Sequence, residues 1–173
     1  VWASFNYTLT ANVENLVLTE SATINATGNT LNNILTGNVA DNILDGGSGA
    51  DILIGGKGND TYIVDNIKDA ITELMNEGID LVQSSMTWSL HANVENLILV
   101  GTGNINGTGN GLSNTITGNT SVNRLDGGAG NDLFNVSSDG ASLAGNLNGI
   151  AATLTISGGT GTTDVLNVSD ETD

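Results

Sequence analysis

The sequence predicts an all-β fold, a right-handed parallel solenoid of the β-roll or β-helix kind, built from nine-residue half-coils with longer coils between them. Three observations predict it. Glycine and large apolar residues recur every nine positions, a long segment repeats without a gap at an offset of 81 residues, and the 173-residue chain contains no proline. A proline would remove a backbone donor from any continuous sheet ladder.

The nine-residue rhythm runs through three columns. Gly28, Gly37, Gly46 and Gly55 form the first, Asn33, Asn42, Asp51 and Asp60 the second, and Leu35, Leu44, Leu53 and Tyr62 the third. The rhythm returns with Gly109, Gly118 and Gly127, then Asn114, Asn123 and Asp132, then Ile116, Leu125 and Phe134. A helix does not suit this pattern, because each interior glycine costs about 1 kcal/mol relative to alanine. Short strands joined by glycine turns do suit it: the apolar residue points inward, its neighbours point outward, and glycine reaches left-handed turn conformations. Each coil then buries its apolar residue against the coils before and after it.

The longer repeat sets the domain organisation. Residues 1–53 laid over 82–134 share 27 identities in 53 positions, including Ala11-Asn12-Val13-Glu14-Asn15-Leu16 over Ala92-Asn93-Val94-Glu95-Asn96-Leu97. Residues 1–136 thus divide into a full unit, 1–81, and a partial second, 82–136. Residues 137–173 lose the rhythm and read as a continuing coil or the start of a further module. Between the glycine-rich blocks, residues 61–64, 70–74, 80–85 and 94–100 read as strands from their β-branched content, while 67–78 has one helical turn as its alternative. In the tail, 153–157 and 164–168 carry strand signals.

Composition narrows the function. The formal charge is −16, from 3 Lys+Arg against 19 Asp+Glu, and Asn alone numbers 25. Three cations cannot build the basic patches that nucleic acid or an anionic membrane requires, so neither is expected as a partner. No apolar run approaches the roughly 20 residues of a membrane span. Without cysteine there are no disulfides, thiolate–zinc sites or thiol nucleophiles. A hydrophobic content of 38%, regularly spaced, favours order over the disorder that high charge alone would suggest. His91 is the sole histidine and stands where the first unit has Thr10, so histidine-based hydrolase arrangements are unsupported and no enzyme activity is expected.

Three nonapeptides have the complete form G-G-x-G-x-D-x-U-x, with U a large apolar residue. They begin at Gly46, Gly55 and Gly127, and their defining residues are Gly46, Gly47, Gly49 and Asp51; Gly55, Gly56, Gly58 and Asp60; and Gly127, Gly128, Gly130 and Asp132. This pattern resembles the RTX, or haemolysin-type, calcium-binding repeat proteins of bacteria, over most of residues 1–136. The stretch from Gly58 through Leu97 is similar to the spacer units of large RTX exoproteins. The resemblance implies Ca2+ as cofactor, secretion to the cell exterior or surface by a type I machine, and folding there on calcium. Calcium takes six to eight hard oxygens, which glycine-turn carbonyls and the Asp carboxylates could supply.

Pairing backward by 18 residues sets Asp51 against Asn33, Asp60 against Asn42 and Asp132 against Asn114, an amide each time. Asn33, Asn42, Asn114 and Asn123 are therefore weaker candidate ligands; the alternative is that the Gly-Asn half-turns hold no metal and close by asparagine hydrogen bonds. Asp164, at the end of a motif one residue too long, is a further candidate. Asp65, Asp69, Glu73 and Asp80 read as a solvated face in preference to an additional oxygen cluster. The expected role is a calcium-binding structural module within a larger secreted or cell-surface protein, flanked by neighbouring modules, since the chain opens in mid-repeat. The alternative is a module binding polysaccharide or a cell surface, as in an adhesin or exoenzyme, with Trp2, Tyr7 and Trp88 as stacking platform; core or edge packing is the simpler account of those rings.

Overall fold

The computed structural model describes residues 1–136, 154–161 and 163–168. All regular structure among them is β, and no described helix is long and apolar enough to cross a membrane. The chain divides into two units, Val1–Val82 with His91–Asn93, and Gln83–Leu90 with Val94–Asp173. Each is a stack of parallel strands in which the chain alternates between two sheets.

In the first unit one sheet runs β1 (Trp2–Ala3), β3 (Asn15–Leu18), β5 (Ile34–Thr36), β7 (Ile52–Ile54) and β9 (Ala70–Thr72). The other contains β2 (Tyr7–Thr8), β4 (Ala26–Thr27), β6 (Ile43–Asp45) and β8 (Thr61–Val64). Pairing Ile34 with Ile52 and Ile43 with Thr61 makes one coil 18 residues, two nonapeptides. That register stacks Leu16, Leu35, Leu53 and Ile71 in one buried column and Ala26, Leu44 and Tyr62 in another. The alternating neighbours Ile34, Ile43 and Ile52 point outward and are exposed.

The chain continues through β10 (Leu81–Ser84), within which the division between the units falls. In the second unit β11 (Trp88–Ser89), β13 (Gly107–Thr108), β15 (Asn123–Asp126) and β17 (Leu154–Ser157) form one sheet. The strands β12 (Asn96–Leu99), β14 (Thr115–Thr117), β16 (Leu133–Val136) and β18 (Val165–Val168) pair in the other, with Leu97, Ile116 and Phe134 as its buried column. Trp88 is buried opposite Gly107, so its ring packs in the core and offers no stacking face.

Residues 70–72 are strand and no helix falls within 67–78, so the alternative of a helical turn there does not hold. The reason is register: Ala70 to Thr72 continue the ladder set by Ile52 to Ile54. The expected tail strands are present as β17 and β18, each pairing one rung beyond β15 and β16. The rest of the 137–173 reading, at 137–153, 162 and 169–173, lies outside the described residues.

The register makes a prediction about packing. Leu53→Ala, in the middle of a fully buried column, is expected to cost about 2–5 kcal/mol in urea unfolding. Ile52→Ser, one residue away and outward-facing, should stay within about 0.5 kcal/mol of the parent.

Candidate metal centre

Strand alternation brings the acidic column inside. In the motif the aspartate stands two residues before the apolar core residue, so both side chains point to the same face. Asp51 precedes β7, Asp60 precedes β8 and Asp132 precedes β16; all three are at most 1% exposed. Asn33, Asn42 and Asn114 occupy the equivalent positions before β5, β6 and β14 and are equally buried.

The columns are welded by one repeated hydrogen bond. Where a rung carries an aspartate, its Oδ1 accepts the backbone N–H of the rung before. Asn33 donates to Asp51 at 2.7 Å and Asp51 to Asp69 at 2.9 Å. On the other side Asn42 donates to Asp60 at 2.7 Å and Asp60 to Asp80 at 2.8 Å. In the second unit Asn114 donates to Asp132 at 2.9 Å and Asp132 to Asp164 at 3.0 Å.

The asparagine and aspartate turns differ at the side-chain oxygen beside the turn's first glycine, Asn33 Oδ1 beside Gly28 and Asp51 Oδ2 beside Gly46. In an asparagine turn everything is satisfied. Asn33 Oδ1 accepts the backbone N–H of Asn29 at 2.7 Å, Asn29 Oδ1 accepts that of Leu31 at 2.8 Å, and Asn29 Nδ2 donates to the Val13 carbonyl at 2.7 Å. The turns at Asn38–Asn42 and Asn110–Asn114 repeat this scheme. Asn123 likewise donates to the Ile105 carbonyl and to Asn119 Oδ1. In the aspartate turns the buried Oδ2 of Asp51, Asp60 and Asp132 has no hydrogen-bond donor. An unmet buried polar atom normally costs on the order of 1–3 kcal/mol, more for a charged group.

The glycines follow from this turn. At the second and fourth motif positions φ is positive: 70° and 145° at Gly47 and Gly49, 86° and 117° at Gly56 and Gly58, 84° and 116° at Gly128 and Gly130. The corresponding Asn29, Leu31, Asn38 and Ala40 have no positive φ, so the two turn types differ in backbone as well as in side chain. At the first position a Cβ on Gly46 or Gly127 would collide with the unpartnered oxygen of Asp51 or Asp132. Gly46, Gly49, Gly55 and Gly127 thus lie against the carboxylates, whereas Gly47, Gly56, Gly58, Gly128 and Gly130 lie against the backbone of the turn before. Gly158 has the same relation to Asp164, despite the extra residue in that motif.

Burial pushes the Asp51 carboxyl up to about 6 and that of Asp60 up to about 7, and the charged groups acting on them, including Asp69 and Asp80, are further carboxylates. Asp132 is raised by burial as well. Lys57 and Lys68 are exposed, and Arg124 pairs with Asp126 at the surface.

The pairing with asparagine 18 residues before is present, and a carboxylate also lies on the following rung: Asp69, Asp80 and Asp164 follow Asp51, Asp60 and Asp132. One expectation is corrected. Asp69, Glu73 and Asp80 are buried, so the solvated-face reading holds for Asp65 alone of those four. The 18-residue spacing from Asp51 to Asp69 was a usable signal. So was the position of Glu73, two residues beyond the core residue Ile71 and hence on its inward face.

The arrangement is a series of buried hard-oxygen donors beside glycine turns. The model of the RTX calcium-binding nonapeptide repeat matches this chain in four copies, over residues 27–62 and 108–139. The chain carries RTX repeats. Neither the curated proteins nor the solved structures contain a match to it. The RTX match spans asparagine and aspartate turns alike, although their hydrogen bonding differs.

The raised carboxyls fix the sign of a pH effect. An aspartate in the unfolded chain titrates near 3.8, below Asp51 and Asp60 in the fold. Their contribution to metal-free stability is therefore full below about pH 4 and is lost as pH rises through 6 and 7. Chelator-treated protein is expected to show less β signal by circular dichroism at about pH 7.5 than at about pH 5, and Asp60→Asn to narrow the gap. More β signal at the upper pH would contradict this assignment.

Proposed function

We propose that the aspartate turns hold calcium and that the chain is a calcium-gated structural module. Asp51, Asp60 and Asp132 offer their unpartnered Oδ2 atoms, and the adjoining turns at Gly46, Gly47 and Gly49, at Gly55, Gly56 and Gly58, and at Gly127, Gly128 and Gly130 offer backbone carbonyls. Asp164 extends the series. Asn33, Asn42, Asn114 and Asn123 close turns without metal. The observation that carries the reading is the contrast at one atom: buried and donor-less in the aspartate turns, hydrogen-bonded at Asn33, Asn42 and Asn114.

Bound calcium supplies the positive charge and the oxygen-seeking coordination that the buried carboxylates lack. Asp51 and Asp60 already have one oxygen fixed by a backbone N–H, so little side-chain freedom remains to be lost on binding. A ligand that binds the folded state stabilises it by about 2.7 kcal/mol per site at a concentration 100 times its Kd.

The working place of such a module is outside the cell. Extracellular calcium modules operate at Kd values of roughly 10⁻⁴–10⁻³ M, and a chain of formal charge −16 resists compaction until cations arrive. Secretion in the open state, followed by folding at the bacterial surface or beyond it within a larger protein, joins these properties into one sequence of events.

Far-UV circular dichroism of the chelator-stripped chain at neutral pH tests the reading. Calcium is expected to raise the β signal and magnesium at equal concentration to leave it nearly unchanged. Asp51→Ala with Asp60→Ala should raise the calcium midpoint several-fold. A β spectrum indifferent to calcium would overturn the proposal.

A further inference from the structure

The long coil after β8 carries an oxygen cluster that the nonapeptide motif does not describe. Asp60, Glu73 and Asp80 are all buried, and each turns one carboxylate oxygen toward the others, with all three atoms within 4.8 Å of one another. Register explains how Glu73 arrives there. Thr72 pairs with Ile54, so Glu73 stands one rung above Gly55, in the column where the preceding turn has Gly37. The first glycine of a nonapeptide is thus replaced by a carboxylate at the end of the run.

Two further observations point to a ligand there. Asp60 is 1% exposed and its Oδ2 has no hydrogen-bond partner. A Cβ built on Gly55 would meet that same Oδ2 together with Glu73 Oε1 and the Tyr62 hydroxyl, so three oxygens converge over one Cα. The Tyr62 hydroxyl donates to Glu73 Oε1 and fixes the glutamate side chain. Asp80 is held in place by its Oδ1, which accepts the Asp60 N–H.

We propose that Asp60, Glu73 and Asp80 form a side-chain carboxylate site for a divalent cation, closed by the long coil instead of by a second nonapeptide turn. It deepens the calcium reading above and rests on it for Asp60 alone. The occupant is a hard cation that gives up most of its water, because the donors are buried. That selects calcium over magnesium, which dehydrates reluctantly and demands near-ideal octahedral geometry. With three carboxylates, this site binds more tightly than one built from a single carboxylate and turn carbonyls, since affinity rises with ligand charge.

The geometry supplies its own probe, since the Tyr62 ring adjoins the glutamate ligand. Terbium, a hard oxygen-seeking ion that takes calcium sites, should emit under tyrosine excitation when titrated into the chelator-stripped 173-residue chain, and calcium should quench the emission by competition. Tyr62→Phe is expected to lower the emission while leaving calcium stoichiometry by calorimetry unchanged. Glu73→Gln, which keeps the shape and removes the charge, should weaken the tightest class of calcium sites about tenfold, with Asp51→Asn leaving that class in place. Circular dichroism of each variant in saturating calcium checks that the fold is kept. Emission and calcium affinity unchanged in both Tyr62→Phe and Glu73→Gln would overturn this site and leave the nonapeptide reading standing. A parent chain that binds no calcium at all would overturn both.

Discussion

Everything in this fold turns on a carboxylate that strand alternation forces inward. The aspartate before β7, β8 or β16 shares the face of the core residue two positions later, Leu53, Tyr62 or Phe134, so it cannot reach water without turning that residue out. One of its oxygens is used at once, as acceptor for the backbone N–H of the rung before. Hydrogen bonds to charged acceptors contribute about 1.5–3 kcal/mol each, so these bonds tie rung to rung as well as the backbone ladder does. The same burial that creates the bond removes solvent from the second oxygen. The repeat therefore combines a strong structural link with an electrostatic debt in a single side chain.

Asparagine in the same place links to the rung before in the opposite sense, its Nδ2 donating to a backbone carbonyl there, and carries no debt. Its amide meets the neighbouring backbone with both a donor and an acceptor, and the Asn29, Asn38 and Asn110 side chains complete the circuit. Each unit thus contains two kinds of rung on one register. The leucine columns pass through both without interruption, so packing does not distinguish them. The distinction is one of charge, and it makes the response to pH and cations local to particular turns.

The fold was legible because its signal is redundant. The columns at 35, 44, 53 and 62 announce both the coil length and the inward face, and the structure buries all four fully. The motif aspartates were legible for the same reason. Their partners were harder, because Asp69 lies in a coil that has shed its glycines, Asp80 is 20 residues beyond Asp60 instead of 18, and Asp164 is 32 beyond Asp132. Glu73 was obscured by its surroundings. Leu74, Met75 and Ile79 are 63–77% exposed while Glu73 and Asp80 are buried, an inversion of the usual hydropathy pattern that composition cannot reveal.

Those unequal spacings have a consequence for how such a protein can change. The same backbone-to-carboxylate bond closes over 18, 20 and 32 residues, so a rung is defined by where the chain returns and not by how far it has travelled. Lengthening a connection costs little, about 0.6 kcal/mol for each doubling. The stack can therefore accept new sequence at its corners while the core spacing stays fixed. It is a frame on which insertions can be tried one at a time, each judged on its own merits and none disturbing the rung beneath.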